Sequence, residues 1–153
     1  MSNFSRILVP VDFSDNSMDA LRQACDLGRR FDAEIHVVHV LEPWAPAAAV
    51  DQFVPDRDKE LVAREKARIN EALEALPPAE WGPQPVKREL VVGMAAPEVV
   101  KYAEQQGIEL IVLGTHGRTG LARWFMGSVA EKVVRFAPCA VLVVRPAEAP
   151  TAA

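Results

Sequence analysis

The sequence contains few cysteines and no cysteine motif. Only two occur among 153 residues, Cys25 and Cys139, and neither belongs to a C-x-x-C or cysteine–histidine pattern. This argues against a disulfide framework and against a structural zinc site. We therefore expect two buried, reduced thiols and a cytoplasmic location.

Long hydrophobic runs and an excess of positive charge are also missing. The apolar run in MSNFSRILVPVDFS ends at Asp12, which is too early for a secretory signal, and no segment approaches the ~20 apolar residues of a membrane span. The formal net charge is −4, so the composition favours neither nucleic acid nor an anionic membrane as a partner. The length and the even balance of apolar and polar residues suit one globular domain.

Strand-like and helix-like segments alternate along the chain. Short runs rich in β-branched residues predict strands at 6–11, 34–41, 86–92, 108–113 and 140–145. Apolar residues at helical spacing predict helices at 15–31, 56–76 and 97–106, and a last helix from residue 128. This alternation predicts an α/β fold, an open parallel five-stranded Rossmann-like sheet of order 3-2-1-4-5 with helices on both faces. We expect residues 1–146 to form one domain and residues 147–153 to be a disordered tail.

Local signals set the expected ends of these elements. Pro10 lacks an N–H and should end the first strand. Ser14 can cap the first helix, Gly107 can stop the third, and Ser128 with Glu131 matches an S-x-x-E capping box. The proline-rich segment 42–55 has no clear period and is predicted to be a long surface loop.

The stretch GTHGRTGLARWFMGS after the fourth strand has the chemistry of a phosphate site. Its glycines, spaced G-x2-G-x9-G, permit positive φ and close approach of a ligand to the backbone. Ser128 then opens a helix, whose N-terminus favours anions. Arg118 and Arg123 can add positive charge, and Asp12 on the neighbouring strand end can accept bonds from a ribose or base.

Other interpretations of the stretch stay open from spacing alone. The stretch is neither a P-loop nor G-x-G-x-x-G, and glycines after a strand are common turn residues. Ser128 alone can serve as an ordinary helix cap. From the residues themselves, phosphate binding and a purely structural turn are equally supported.

The segments ILVPVDFS, EIHVVHVLEP and LIVLGTHGRTGLARWFMGSVAEKVVRFAPCAVLVVRP resemble the universal stress protein family, across residues 4–146. The intact G-x2-G-x9-G-Ser pattern resembles that of the ATP-binding members. The resemblance implies a bound ATP with Mg²⁺ on its phosphates, although no carboxylate cluster predicts ligands for the ion. The implied contacts are Pro10, Val11, Asp12 and Val40 for adenosine, Leu113, Gly114 and His116 for the pocket wall, and Gly117, Arg118, Gly127, Ser128 and Val129 for the phosphates. Ala130 stands where some relatives have a hydroxyl residue, so one phosphate contact is expected to be missing.

No residue is assigned a catalytic or metal-binding role. His36 and His39 are expected to pack within the second strand, and His116 has no carboxylate partner near it in sequence. Trp124, Phe125 and Met126 are expected to anchor the glycine loop on the domain. Any ATP hydrolysis should be slow, because neither a Walker lysine nor a base that orients water is evident.

The fifth strand, Ala140 to Arg145, is expected at a sheet edge, where an apolar strand must be covered. The resemblance implies that two chains pair these strands in a homodimer. The favoured function is a dimeric, ATP-binding regulator of the stress response. A partner-binding module without nucleotide and a slow adenine-nucleotide hydrolase are the alternatives.

Overall fold

The computed structural model describes residues 3–43, 56–116 and 126–146. Five strands and four α-helices alternate over these ranges, with one short 3₁₀ turn at Ala79–Trp81. The strands are β1 (Arg6–Pro10), β2 (Glu34–Leu41), β3 (Val86–Val92), β4 (Leu110–Gly114) and β5 (Ala140–Val144). The helices are α1 (Asp15–Phe31), α2 (Asp56–Glu74), α3 (Ala95–Gln105) and α4 (Ser128–Phe136). No helix within these ranges is long and apolar enough to cross a membrane.

The strands form one parallel sheet in the order β3-β2-β1-β4-β5, as the sequence predicts. β1 is central and buried on both faces, which explains its unbroken apolar run. Ile7 and Val9 point into the core beneath α1 and α2, while Leu8 belongs to the core beneath α3 and α4. The two cores on opposite faces define a doubly wound domain.

Most of the predicted boundaries are confirmed. Pro10 is the last residue of β1, and the Ser14 hydroxyl accepts the N–H of Ser17 at 3.2 Å to cap α1. Gly107 follows α3 with a φ of 61°, a left-handed conformation that suits glycine. Residues 44–55 of the predicted surface loop, and the predicted tail 147–153, lie outside the described residues.

The predicted capping box at the start of α4 is wrong. Gly127 occupies the N-cap position, and its carbonyl accepts the N–H of Glu131 at 3.0 Å. Ser128 is therefore already inside the first turn, where its hydroxyl cannot reach the N–H groups that an N-cap side chain serves. The N-cap glycine has no side chain that could cap this end of the helix.

The two cysteines differ in burial. Cys25 is buried in α1, and burial raises the pKa of its thiol to about 11. Cys139 is only half-buried, which corrects the expectation of two buried thiols, because it lies just before the edge strand β5. Both thiols are unpaired.

His36 in β2 is buried and hydrogen-bonded at both ring nitrogens. Its Nδ1 lies 2.8 Å from the Tyr102 hydroxyl and its Nε2 lies 2.7 Å from a Glu34 carboxylate oxygen. Burial lowers the pKa of His36, and the nearby charges of Lys87 and Arg6 act in the same direction, whereas Glu34 opposes them. The folded protein therefore favours the neutral imidazole.

This burial predicts that stability falls in mild acid. The unfolded chain binds a proton at His36 near the ordinary pKa of about 6.5, whereas the folded chain resists it until lower pH. The contribution of His36 to the free energy of unfolding is therefore fully present above about pH 6.5. It declines below that pH, by at most ~1.4 kcal/mol per pH unit from this one group. Urea unfolding at pH 7.5, 6.5 and 5.5 should show a smaller decline for His36→Gln than for wild type. An equal loss of stability in wild type and His36→Gln would contradict the attribution of this pH dependence to His36.

Candidate functional site

The order of the sheet reverses between β1 and β4. The chain passes from β1 to β2 on one side, and the later strands β4 and β5 are added on the other. Ligands of doubly wound sheets bind at the carboxyl ends of the strands at such a switch point. Pro10 and Gly114 end the two strands there, so the segments after them are the candidate site.

The segment after β1 forms a tight turn. Val11 donates its N–H to the Val38 carbonyl at 2.8 Å, which extends the contact with β2 beyond the strand. The Asp12 carboxylate accepts the N–H of Ser14 at 2.9 Å, and the Asp12 N–H donates to the Ser17 hydroxyl at 3.3 Å. Phe13 adopts a φ of 62° between them. Asp12 is thereby held, partly buried, at the carboxyl edge of the sheet.

The end of β2 is tied to this turn. Nδ1 of His39 lies 2.7 Å from the carbonyl oxygen of Val11, and the rings of His39 and Phe13 have centroids 5.0 Å apart. Val40, the predicted adenine contact, is half-buried and pairs with Val91 of β3. The predicted adenosine residues thus lie at the ends of neighbouring strands.

The segment after β4 is fixed by hydrogen bonds to β5 and to the start of α4. The N–H of Thr115 donates to the Val144 carbonyl at 3.1 Å. The Thr115 carbonyl in turn accepts the N–H of Gly127 at 2.7 Å. The two ends of the glycine stretch are therefore neighbours. Gly117, Arg118, Arg123, Trp124 and Phe125 lie outside the described residues.

The requirement for glycine at 114 and 127 differs from the sequence interpretation. Neither residue uses the positive φ that glycine permits: Gly127 has a φ of −60°. A Cβ on Gly114 would lie 2.4 Å from Oδ1 of Asn16, and one on Gly127 would lie 3.0 Å from the Thr115 carbonyl oxygen. Space rather than backbone conformation therefore explains glycine at 114, whereas at 127 a Cβ would make a tight contact that a small shift can relieve.

The N-terminus of α4 begins without an N-cap side chain. The N–H groups of Ser128, Val129 and Ala130 precede the first intrahelical hydrogen bond, which Glu131 makes, and the N-cap Gly127 has no side chain to accept them. Ser128 and Val129 are exposed, whereas Ala130 is buried. This arrangement suits a phosphate or another anion.

Asn16 is the site residue that the sequence analysis missed. Its side chain accepts the N–H of His116 at 2.8 Å and donates to the Val144 carbonyl at 3.1 Å. The available signal was its position in the buried stripe of α1, four residues before Ala20. A buried amide needs hydrogen-bond partners, so an asparagine there indicates a contact across elements.

A groove of about 390 Å³ lies between α3 and α4, away from these residues. It is lined by Ala96, Pro97, Val100, Lys101, Glu104, Lys132 and Phe136, none of which belongs to the predicted site.

Within the described parts of the chain, no group of three or more His, Cys, Asp or Glu side chains could hold a metal ion.

The fold and this edge define a doubly wound α/β domain with a helix N-terminus at its switch point. Residues 3–145 match the model of the universal stress protein family. The chain therefore belongs to the universal stress protein family, as the motif resemblance implied. Universal stress protein MJ0531 of Methanocaldococcus jannaschii is 35% identical over 93% of this chain and 82% of that relative. YxiE of Bacillus subtilis is 32% identical over 93% of this chain and 99% of that protein.

Solved structures agree with this assignment. Universal stress protein UspA from Lactobacillus plantarum has a TM-score of 0.80 at 30% identity, covering 95% of this chain and all of that one. A universal stress protein in complex with cAMP has a TM-score of 0.63 at 25% identity, covering 95% of this chain and 100% of that one. Another from Archaeoglobus fulgidus, in complex with dAMP, shares the fold at 24% identity with a TM-score of 0.63, over 94% of this chain and 99% of that one.

Proposed function

We propose that this protein binds ATP at the carboxyl edge of β1 and β4 and acts as a nucleotide-responsive regulator in the stress response. The observation that carries the proposal is the N-terminus of α4, which has a glycine N-cap and is held beside the end of β4 by the bond from Gly127 to Thr115. It would receive phosphates through the N–H groups of Ser128 and Val129. We place the regulator in the cytoplasm, where its two unpaired thiols stay reduced.

The nucleoside would lie on the β1 side of the same edge. Asp12 offers carboxylate oxygens to ribose or adenine hydrogen-bond donors, and Pro10, Val11 and Val40 offer apolar surface. The complexes of structural relatives with cAMP and dAMP support an adenine nucleotide as the ligand class. Preference for a triphosphate rests on the sequence, through Gly117, Arg118 and the rest of the glycine pattern.

Mg²⁺ would be carried by the phosphates. Such an ion would keep several waters and bind mainly to phosphate oxygens. With no residue assigned to orient an attacking water, we expect hydrolysis to be slow and the bound nucleotide to act as a signal.

Thermal unfolding with ATP, ADP and AMP, each with Mg²⁺, tests the proposal. A ligand at about 100 times its Kd adds ~2.7 kcal/mol of stability, which corresponds to a rise in Tm of roughly 5–10 °C for a chain of this size. We expect a saturable rise that is largest with ATP. The absence of a rise with every nucleotide, in protein freed of bound ligand, would favour the partner-binding alternative.

We also propose a homodimer through β5. β5 is the edge strand beside β4, and its side chains are only partly buried, with Leu142 39% exposed. Because the Val144 carbonyl faces β4, alternation along the strand turns the peptide groups of Val141 and Val143 towards the free edge. A second β5 could pair with those groups and cover the apolar surface.

A Val143→Pro variant should weaken the dimer while preserving the monomer. Proline removes one outward N–H without touching the ladder to β4, since edge positions tolerate proline. Val143→Ala keeps that N–H and is the matched control for the lost side-chain surface. Light scattering should show monomers for Val143→Pro at concentrations where wild type and Val143→Ala are dimeric. A dimeric Val143→Pro would reject this interface.

A further inference from the structure

The Asn16 side chain joins three separate parts of the fold. It lies in the first turn of α1 and is 7% exposed. It contacts the end of β5 through the Val144 carbonyl and the segment after β4 through the N–H of His116. The remaining buried stripe of α1 contains small and apolar residues such as Ala20 and Leu21, so packing alone does not require an amide here.

These contacts reach the α4 N-terminus through a short series of bonds. Asn16 holds the His116 N–H, and the Val144 carbonyl that Asn16 contacts also holds the Thr115 N–H. The Thr115 carbonyl then fixes Gly127, the N-cap of α4. The close approach of Asn16 to Gly114 leaves little room for this segment to take another path.

We propose that Asn16 is a positioning residue for the nucleotide site. It sets the path of the chain as it leaves β4, and thereby aligns Gly127 and the donors of α4 before a nucleotide binds. The inference rests on the proposed nucleotide binding and assigns Asn16 no contact with the nucleotide. Without Asn16, binding must first order the segment around His116, which lowers affinity.

The test compares affinity and backbone protection in four proteins: wild type, Asn16→Ala, Asn16→Ser and Cys25→Ala. Asn16→Ala removes both bonds, whereas the uncharged Asn16→Ser keeps a hydroxyl near the two partners and serves as the milder variant if Asn16→Ala folds poorly. Cys25 is buried in the same helix, nine residues further on, so Cys25→Ala controls for a general weakening of α1. Mg-ATP affinity is measured by calorimetry, and amide hydrogen exchange is measured without nucleotide.

We expect Asn16→Ala to raise the Kd for Mg-ATP about 10-fold and Asn16→Ser to give an intermediate Kd. The amides of His116 and Gly127 should exchange faster in Asn16→Ala, whereas Cys25→Ala should leave both the Kd and these amides unchanged. A Kd for Asn16→Ala within 2-fold of wild type would overturn the role, as would an equal loss in Cys25→Ala. If wild type itself binds no nucleotide, the proposed function fails first, and the role assigned to Asn16 fails with it.

Discussion

Replacing Gly127 with Asp is expected to abolish the thermal shift produced by Mg-ATP. The new carboxylate would stand at the N-cap of α4, where it can accept the N–H groups proposed for the phosphates. A like charge at contact distance costs the bound phosphate a few kcal/mol, enough to weaken binding 100-fold or more. The measurement is Tm with and without saturating Mg-ATP.

The Gly127→Asp variant should remain folded, which makes the result interpretable. Asp is a favourable N-cap residue, and the added Cβ requires the Thr115 carbonyl, 3.0 Å away, to move by only a few tenths of an ångström. Gly127→Ala introduces the same Cβ without the charge. Asn70→Asp adds the same charge on the exposed side of α2. If Mg-ATP raised the Tm of Gly127→Asp as much as that of wild type, the α4 N-terminus would not be part of the nucleotide site.

Replacing Gly114 with Ala is expected to destabilise the protein by about 2–4 kcal/mol. The new Cβ would overlap Oδ1 and Cγ of Asn16, 2.4 and 2.7 Å away, so the amide must leave its place. The His116 N–H and the Val144 carbonyl then lose a buried partner. Tm should fall by roughly 6–12 °C.

A double-mutant cycle isolates the contact between these two residues. In an Asn16→Ala background the space beside Gly114 is vacated, so Gly114→Ala should cost less there than in wild type. We expect a coupling free energy of about 1–3 kcal/mol from urea unfolding of the four proteins. Equal costs in both backgrounds would show that Gly114 is required for another reason.

The resemblance of the motifs indicated the correct family. The glycine spacing, however, gave only part of the physical reason why glycine is needed at positions 114 and 127. The spacing of the glycines indicated freedom of φ and close approach of a ligand. At Gly114 the group that approaches closely is Asn16 of the same chain, and at Gly127 it is the Thr115 carbonyl. A glycine can therefore mark a phosphate site and still be required by the protein's own packing, so the two roles must be separated by experiment.

The sequence alone determined the strands, the helices, their parallel arrangement and the sheet edge at which we propose the site. These follow from local properties: hydrophobic period, the missing N–H of Pro10, the cap at Ser14, and the rule that parallel strands end at a common edge. The tertiary structure alone decided the N-cap of α4, the partial exposure of Cys139 and the contacts of Asn16. Asn16 meets His116 and Val144 across 100 and 128 residues of chain, and no local pattern encodes contacts that exist only once the strands have paired.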